Sequence, residues 1–310
     1  MLGARGSLLP FKLVYSAGYD LNLGEHVFPS QKYRLIHERL LAEGIAGTED
    51  FLEPSPAGDS DVLLVHEAGY VGRLQTGTLG YEEIIRMEIP YSRRMVEAVW
   101  LATGGTILAG RRALVEGVAI NLGGGFHHAF PGHGEGFCAI HDVAVAIRRL
   151  LADGVIQRAL VIDCDVHQGN GTATIFAGDE RVFTISLHQY HNYPTEKPAS
   201  DIDVHLEDRT EDREYLLALS AKYVPALERV RPQLVFYVAG ADPYYQDQLG
   251  GLGLTVDGLK RRDELVLEAA RRAGAAVAVT LAGGYALNVT DTVTIHCNTV
   301  IAAKEVGVRG

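Results

Sequence analysis

The segment "ALVIDCDVHQGNGT" (159–172) decides how this chain is read. It opens as an unalternating apolar run, the pattern of a strand covered on both faces. It then sets Asp163, Asp165 and His167 at alternate positions and closes on a glycine-rich turn. Side chains at i, i+2 and i+4 of a strand share a face. The two carboxylates and the imidazole are therefore expected to point the same way. Carboxylates in so apolar a setting need a cation or a dense set of donors.

The same pattern recurs along the chain. Strands are predicted at 12–16, 117–123, 159–167, 181–188, 233–240 and 276–284, and helices at 91–115, 138–153, 211–230 and 256–273. Thr210 reads as a cap for the third helix and Gly274 as the stop of the fourth. Strands alternating with helices predict a three-layer α/β/α fold around a mainly parallel sheet. One domain is expected over residues 1–310. Ligands of such sheets bind beyond the carboxyl ends of the strands. There the sequence turns polar: "GGFHHAFPGHGEGF" after 117–123, "QYHNYP" after 181–188, "ADPYYQD" after 233–240 and Tyr285 after 276–284.

Bulk properties narrow the function. The 310 residues are 47% apolar and 22% charged with a net charge of −11, so no basic footprint for nucleic acid exists. Three scattered cysteines argue against a disulfide framework or a thiolate metal site, and suit a reducing cytoplasm. No apolar run is long enough to span a membrane, and the N-terminus does not read as a signal peptide.

Two residues of the 163/165/167 trio can bind a divalent metal, with Asp242 as a third ligand from a neighbouring strand. A carboxylate–imidazole–carboxylate set suits Zn²⁺, with Fe²⁺ and Co²⁺ as alternatives, and leaves positions open for water and substrate. His127 and His128 follow a glycine-rich turn and read as acid–base residues. Tyr285 reads as a donor to a developing oxyanion.

Together, "GGGFHHAFPGHGEGFC" (123–138), "DCDVHQGNGT" (163–172), "VAGADPYYQDQLGGLGLT" (238–255) and "LAGGYA" (281–286) resemble the histone deacetylase superfamily, the arginase–deacetylase fold. The resemblance runs from about "VYSAGYD" (14–20) to "LAGGYA". "HQGNGT", "TGGTILAG" and the short length are closest to the class IV and bacterial branch. It implies that Asp165, His167 and Asp242 bind zinc, that Asp163 orients His127, and that Asn170 contacts His128. Many members carry aspartate at that last place. A neutral amide favours imidazolium less than a carboxylate does, so His128 is expected to be the general base and His127 a charged stabiliser. Asn170→Asp is then expected to raise the pKa of the base. Gly136 and Phe137 match the wall of an acyl-lysine tunnel, with Tyr193 opposite. Asp163, Asp165, His167, Ser186 and Leu187 match a structural potassium site. His133 and His191 are expected in rim loops, His188 behind the metal, and Cys164 as a buried apolar group. The implied reaction removes an acetyl or other acyl group from an N-acylated amine, with acetyl-lysine of proteins as substrate. An acetylpolyamine is the alternative. An arginase-like ureohydrolase ranks lower, since Gly169 stands where its second metal would want a carboxylate.

Overall fold

The computed structural model describes residues 6–308. The first half runs β1 (Lys12–Val14), α1 (Lys32–Ala42), β2 (Phe51–Leu52), α2 (Asp59–Val62), α3 (Ala68–Thr76), α4 (Tyr81–Met87), α5 (Arg93–Glu116), β3 (Val118–Asn121) and α6 (Asp142–Ala152). The second runs β4 (Ala159–Asp163), α7 (Asn170–Phe176), β5 (Val182–Gln189), β6 (Ile202–Leu206), α8 (Asp212–Val230), β7 (Leu234–Val238), α9 (Val256–Arg272), β8 (Ala276–Thr280) and α10 (Val289–Val308). All eight strands join one parallel sheet in the order β2-β1-β3-β8-β7-β4-β5-β6. Helix α5 packs on α6 and lies across β1, β3 and β8. A row of α1, α10, α9 and α8 makes the other layer, with α9 on β8 and α8 along β4 to β6. This is the expected three-layer fold.

Burial explains the strand sequences. β4 and β7 are buried at every position, which is why they read as continuous apolar runs rather than alternating ones. Strand order reverses about the centre: β3, β8, β7 and β4 lie side by side although they come from distant parts of the chain. Crevices for ligands form at such reversals, outside the carboxyl ends of the strands.

Several expectations need correction. The strands read at 12–16, 117–123, 159–167, 233–240 and 276–284 stop earlier, because their polar or glycine tails leave the ladder. In particular β4 ends at Asp163, so Asp165 and His167 are not strand residues. The glycine-rich turn read after His167 is short, and α7 begins at Asn170. The helix read from 138 starts at Asp142, where the His141 ring accepts from the Ala144 N–H. Glu211 takes the cap position of α8, and Thr210 donates its hydroxyl to the Glu207 carbonyl. Edge strand β6 was missed because "IDVHL" is short and mostly only half-buried, unlike the apolar runs of the buried strands.

Arg262, fully buried on α9, ties two site loops together. Its Nη1 donates to the carbonyls of Cys164 (3.2 Å) and Gly240 (2.6 Å), just ahead of Asp165 and Asp242. Its Nε and Nη2 bind Asp263, which also accepts from Tyr237 and Thr299. Removing one partner of a buried ion pair leaves an uncompensated charge. Arg262→Leu is expected to lower the unfolding free energy by about 3–5 kcal/mol in urea titrations; a loss under about 1 kcal/mol would show that these contacts add no net stability.

Candidate active site

Beyond β4 the backbone makes two consecutive turns. The Asp163 carboxylate accepts from the Asp165 N–H (3.1 Å), and the Asp165 carboxylate accepts from the His167 N–H (3.0 Å). Each acid thus bonds the backbone two residues on, an Asx turn. The spacing of two comes from these turns and not from strand alternation. Asp242 follows β7, where its Oδ1 accepts from the Val166 N–H (2.9 Å). Gly283, after β8, donates its N–H to Asp165 Oδ2 (2.9 Å). A Cβ at Gly283 would lie 2.0 Å from Asp242 Oδ2 and 2.5 Å from Asp165 Oδ2, so only glycine closes this wall.

Asp165, His167 and Asp242 offer ligand atoms that all lie within 4.8 Å of one another, and all three are buried. His167 Nδ1 is 3.0 Å from Asp165 Oδ1 and 3.5 Å from Asp242 Oδ2. Asp242 Oδ2 accepts no hydrogen bond among the described residues. Burial and the Asp165 charge push the Asp242 carboxyl up to about 7. A buried acceptor facing a second carboxylate and an imidazole is what a bound cation would satisfy. The two oxygen donors and one nitrogen donor fit a divalent metal of the zinc, iron or cobalt kind.

The two histidines after β3 have different partners. His127 Nδ1 meets Asp163 Oδ2 at 2.6 Å, and its Nε2 lies 3.7 Å from Asp165. Burial opposes its charge, but Asp163 and Asp165 outweigh that and raise it to about 9. His128 Nδ1 meets Asn170 Oδ1 at 2.7 Å. Burial and the neighbouring His127 and His167 hold it well below the ordinary histidine range of 6.5.

Tyr285 stands past β8, with its N–H bound to Asp247 Oδ2 (2.6 Å). Burial, then the Asp165 and Asp242 carboxylates, raise its hydroxyl far above 10, so it stays a donor. His128, Gly136, Phe137, His167, Tyr193 and Tyr285 line one pocket of about 160 Å³, with Glu88 and Leu249 also in its wall. A cavity of about 20 Å³ adjoins it, sharing His128, Gly136, Phe137 and Tyr285. A Cβ at Gly136 would come within 2.8 Å of the His128 ring and 3.0 Å of the Tyr193 ring; with φ of +50° this position requires glycine.

Sequence reading had not singled out Glu88, Glu135 or Lys32. Lys32 is buried, donates to the Ala282 carbonyl (2.6 Å) and lies 5.8 Å from the centre of the Tyr285 ring. Burial lowers it to about 8, against the pull of Asp242 and Asp165. It opens α1, a helix the sequence reading did not find, and no local pattern marks it. Ser186 pairs with Asp163 across β4 and β5, but its hydroxyl meets His188 Nδ1 (2.9 Å), and Leu187 is buried beside it. The other ring nitrogen of His188 bonds His205, so His188 touches none of Asp165, His167 and Asp242 by hydrogen bond. His133 stacks on Phe130 in the rim loop, while His191 packs on Tyr190. Cys138, Cys164 and Cys297 are buried free thiols.

Comparison with known proteins gives the family and the fold. The family model described as "Histone deacetylase domain" matches residues 26–301. An uncharacterized protein of Picosynechococcus sp. is 42% identical over 96% of this chain and 99% of its own length. Histone deacetylase 2 of Arabidopsis thaliana is 32% identical over 88% of this chain and 74% of its own length. The solved HD domain of HDA15 has the same fold, with a TM-score of 0.80 at 21% identity, over 96% of this chain and 91% of that one. With its family model matched over most of its length, the chain belongs to the histone deacetylase family.

Proposed function

We propose that this protein is a zinc-dependent amidohydrolase that removes an acetyl or other acyl group from an N-acylated amine, with acetyl-lysine of a protein as the substrate. The observation that carries this reading is the cradle of Asp165, His167 and Asp242 set against a pocket lined by His128, His167 and Tyr285 and an adjoining cavity lined by His127 and Asp165. Asp165, His167 and Asp242 would hold a divalent cation, which would supply Lewis-acid polarisation of the acyl carbonyl and acidify a water. Phe137 and Tyr193 guide the aliphatic stem of the substrate. His128, kept neutral, takes the proton of the attacking water. Tyr285 donates to the developing oxyanion. His127, held cationic by Asp163, stabilises the same negative charge. His128 then returns its proton to the departing amine. The inner cavity of about 20 Å³ favours a short acyl group.

An acetylpolyamine is the second reading. Its support is Glu88 in the pocket wall, a carboxylate suited to a distant ammonium. The ureohydrolase reading has no support from the site. Among the described residues, one group of three metal-ligating side chains is found, and position 169 is glycine. The backbone of Asp163, Asp165 and His167, with Ser186 and Leu187 alongside, is further proposed to hold a structural potassium ion through hard oxygen donors. The β4–β5 register brings these segments together. A cytoplasmic location is proposed from the three free thiols. Among the described residues no helix is long and apolar enough to cross a membrane.

Three measurements test the reading. Zinc-loaded protein is expected to cleave members of a panel of acyl-lysine peptides and acetylpolyamines, and a chelator to abolish turnover until Zn²⁺, Co²⁺ or Fe²⁺ is restored; an inert panel would refute it. Tyr285→Phe should lower kcat by roughly 10²–10³-fold, the scale for one oxyanion donor, and near-normal turnover would remove the hydroxyl from the reaction. The pH profile follows from the two histidines. The base is active when neutral, so kcat/KM should fall on the acid side only below 6.5. The stabiliser is active when charged, so a basic limb should appear as pH rises through about 9. An acid limb at or above neutrality would overturn the assignment.

A further inference from the structure

Glu135 lies in the loop "GHGEGFC", and its backbone exchanges two 2.9 Å hydrogen bonds with Cys138. Its side chain reaches inward. Oε1 accepts from the Asn170 amide Nδ2 (2.7 Å) and from the Tyr193 hydroxyl (2.9 Å), while Oε2 faces His133 Nε2 (3.2 Å). Burial disfavours the charge, but the bonds from His133, Tyr193 and Asn170 outweigh it and keep the acid ionised.

The consequence concerns an amide whose two ends are otherwise interchangeable. An ionised carboxylate only accepts, so the Asn170 NH₂ must face Glu135. The Gly171 N–H only donates, and it points at Asn170 Oδ1 (3.0 Å). Both ends are fixed by unlike partners. Oδ1 therefore faces His128 Nδ1, which must carry its hydrogen there, leaving the lone pair of the neutral ring on Nε2. With the amide turned over, the NH₂ would meet Nδ1 and the tautomer would reverse. The oxygen that fixes this amide also holds Tyr193, whose ring stands edge-on to His128 at 4.9 Å.

We propose that Glu135 is a positioning residue that sets the tautomer of His128 through Asn170 and, from the same oxygen, anchors Tyr193 beside the substrate stem. This rests on the reading of His128 as the group that takes the water proton. It also explains the amide at position 170: an aspartate there would set two carboxylates at hydrogen-bond distance with no donor between them. Asn170→Asp alone is thus a disruptive change, not the clean shift in basicity that the sequence suggested.

The test uses the full chain loaded with zinc, a substrate chosen from the panel above, and ¹⁵N spectra of the His128 ring. Glu135→Ala should lower kcat by about 10–100-fold, the usual cost of losing a partner that orients a site histidine. The spectrum should show loss of the single Nδ1–H form. Tyr193→Phe should raise KM mainly, and in that background Glu135→Ala should lower kcat alone. Glu135→Gln keeps an oxygen with two lone pairs and should hold kcat within about threefold of the native value. Asn170→Asp should lose activity by itself and regain most of it when combined with Glu135→Gln, since the new amide can donate to the new acid. An unchanged kcat and an unchanged His128 spectrum in Glu135→Ala would overturn the inference, as would no recovery in the double variant. If Glu135→Ala does not fold, the paired exchange at 135 and 170 decides. A native protein inert on every substrate would strike the reaction itself, while the His128 spectra still decide the role of Glu135.

Discussion

Asp165 and Asp242 set two carboxyl groups side by side in a buried cradle. Taking charge out of water costs several kcal/mol per ion, so a pair of like sign stands only with compensation. The rest of the site supplies it. Asp165 accepts the N–H groups of His167 and Gly283, and Asp242 that of Val166. His167 turns one ring nitrogen toward both acids. One oxygen of Asp242 is left over, which is the place for a cation. Strand ends suit this construction because the backbone there leaves the ladder and frees its donors.

The same electrostatics divides the neighbouring histidines. Identical in type, adjacent in sequence and 4.0 Å apart between ring centres, they differ only in what stands behind them. A carboxylate behind one ring favours charge, and an amide behind the other does not. Once His127 is charged, its field further discourages protonation of His128. One site therefore offers a cation and a base together at neutral pH, without a second kind of side chain.

Much of this was legible before the structure. Buried parallel strands announce themselves by unbroken apolar runs, and β4, β5, β7 and β8 were found within a few residues. The metal candidates Asp165, His167 and Asp242 do come together, though not by strand alternation, since Asx turns give a spacing of two just as a strand does. Edge strand β6, the short β2 and the outer helices α1, α3 and α4 were not seen, because their patterns are weak and their order is imposed by packing. Lys32 and Glu135 were hidden for a different reason. Each acts through a contact made far along the chain, Lys32 with Ala282 and Glu135 with Asn170 and Tyr193. Local pattern carries no trace of such pairs. The amide at Asn170 was noticed, but its cause lay thirty-five residues away in a loop.

The strand order has a consequence for how the site comes into being. β3 pairs with β8, about half the chain away, and β4 pairs with β7 across two further strands and two helices. Such long-range pairings carry a large loop-closure cost and are slow to form. The cradle draws Asp165 and His167 from behind β4 and Asp242 from behind β7, and Gly283 behind β8 closes its wall. No early fragment of the fold contains it. A cation that binds all three side chains thus recognises only a sheet whose centre has already closed, so its binding energy is added to the final state and not to the intermediates. Occupancy of the cradle would thus report on a completed fold.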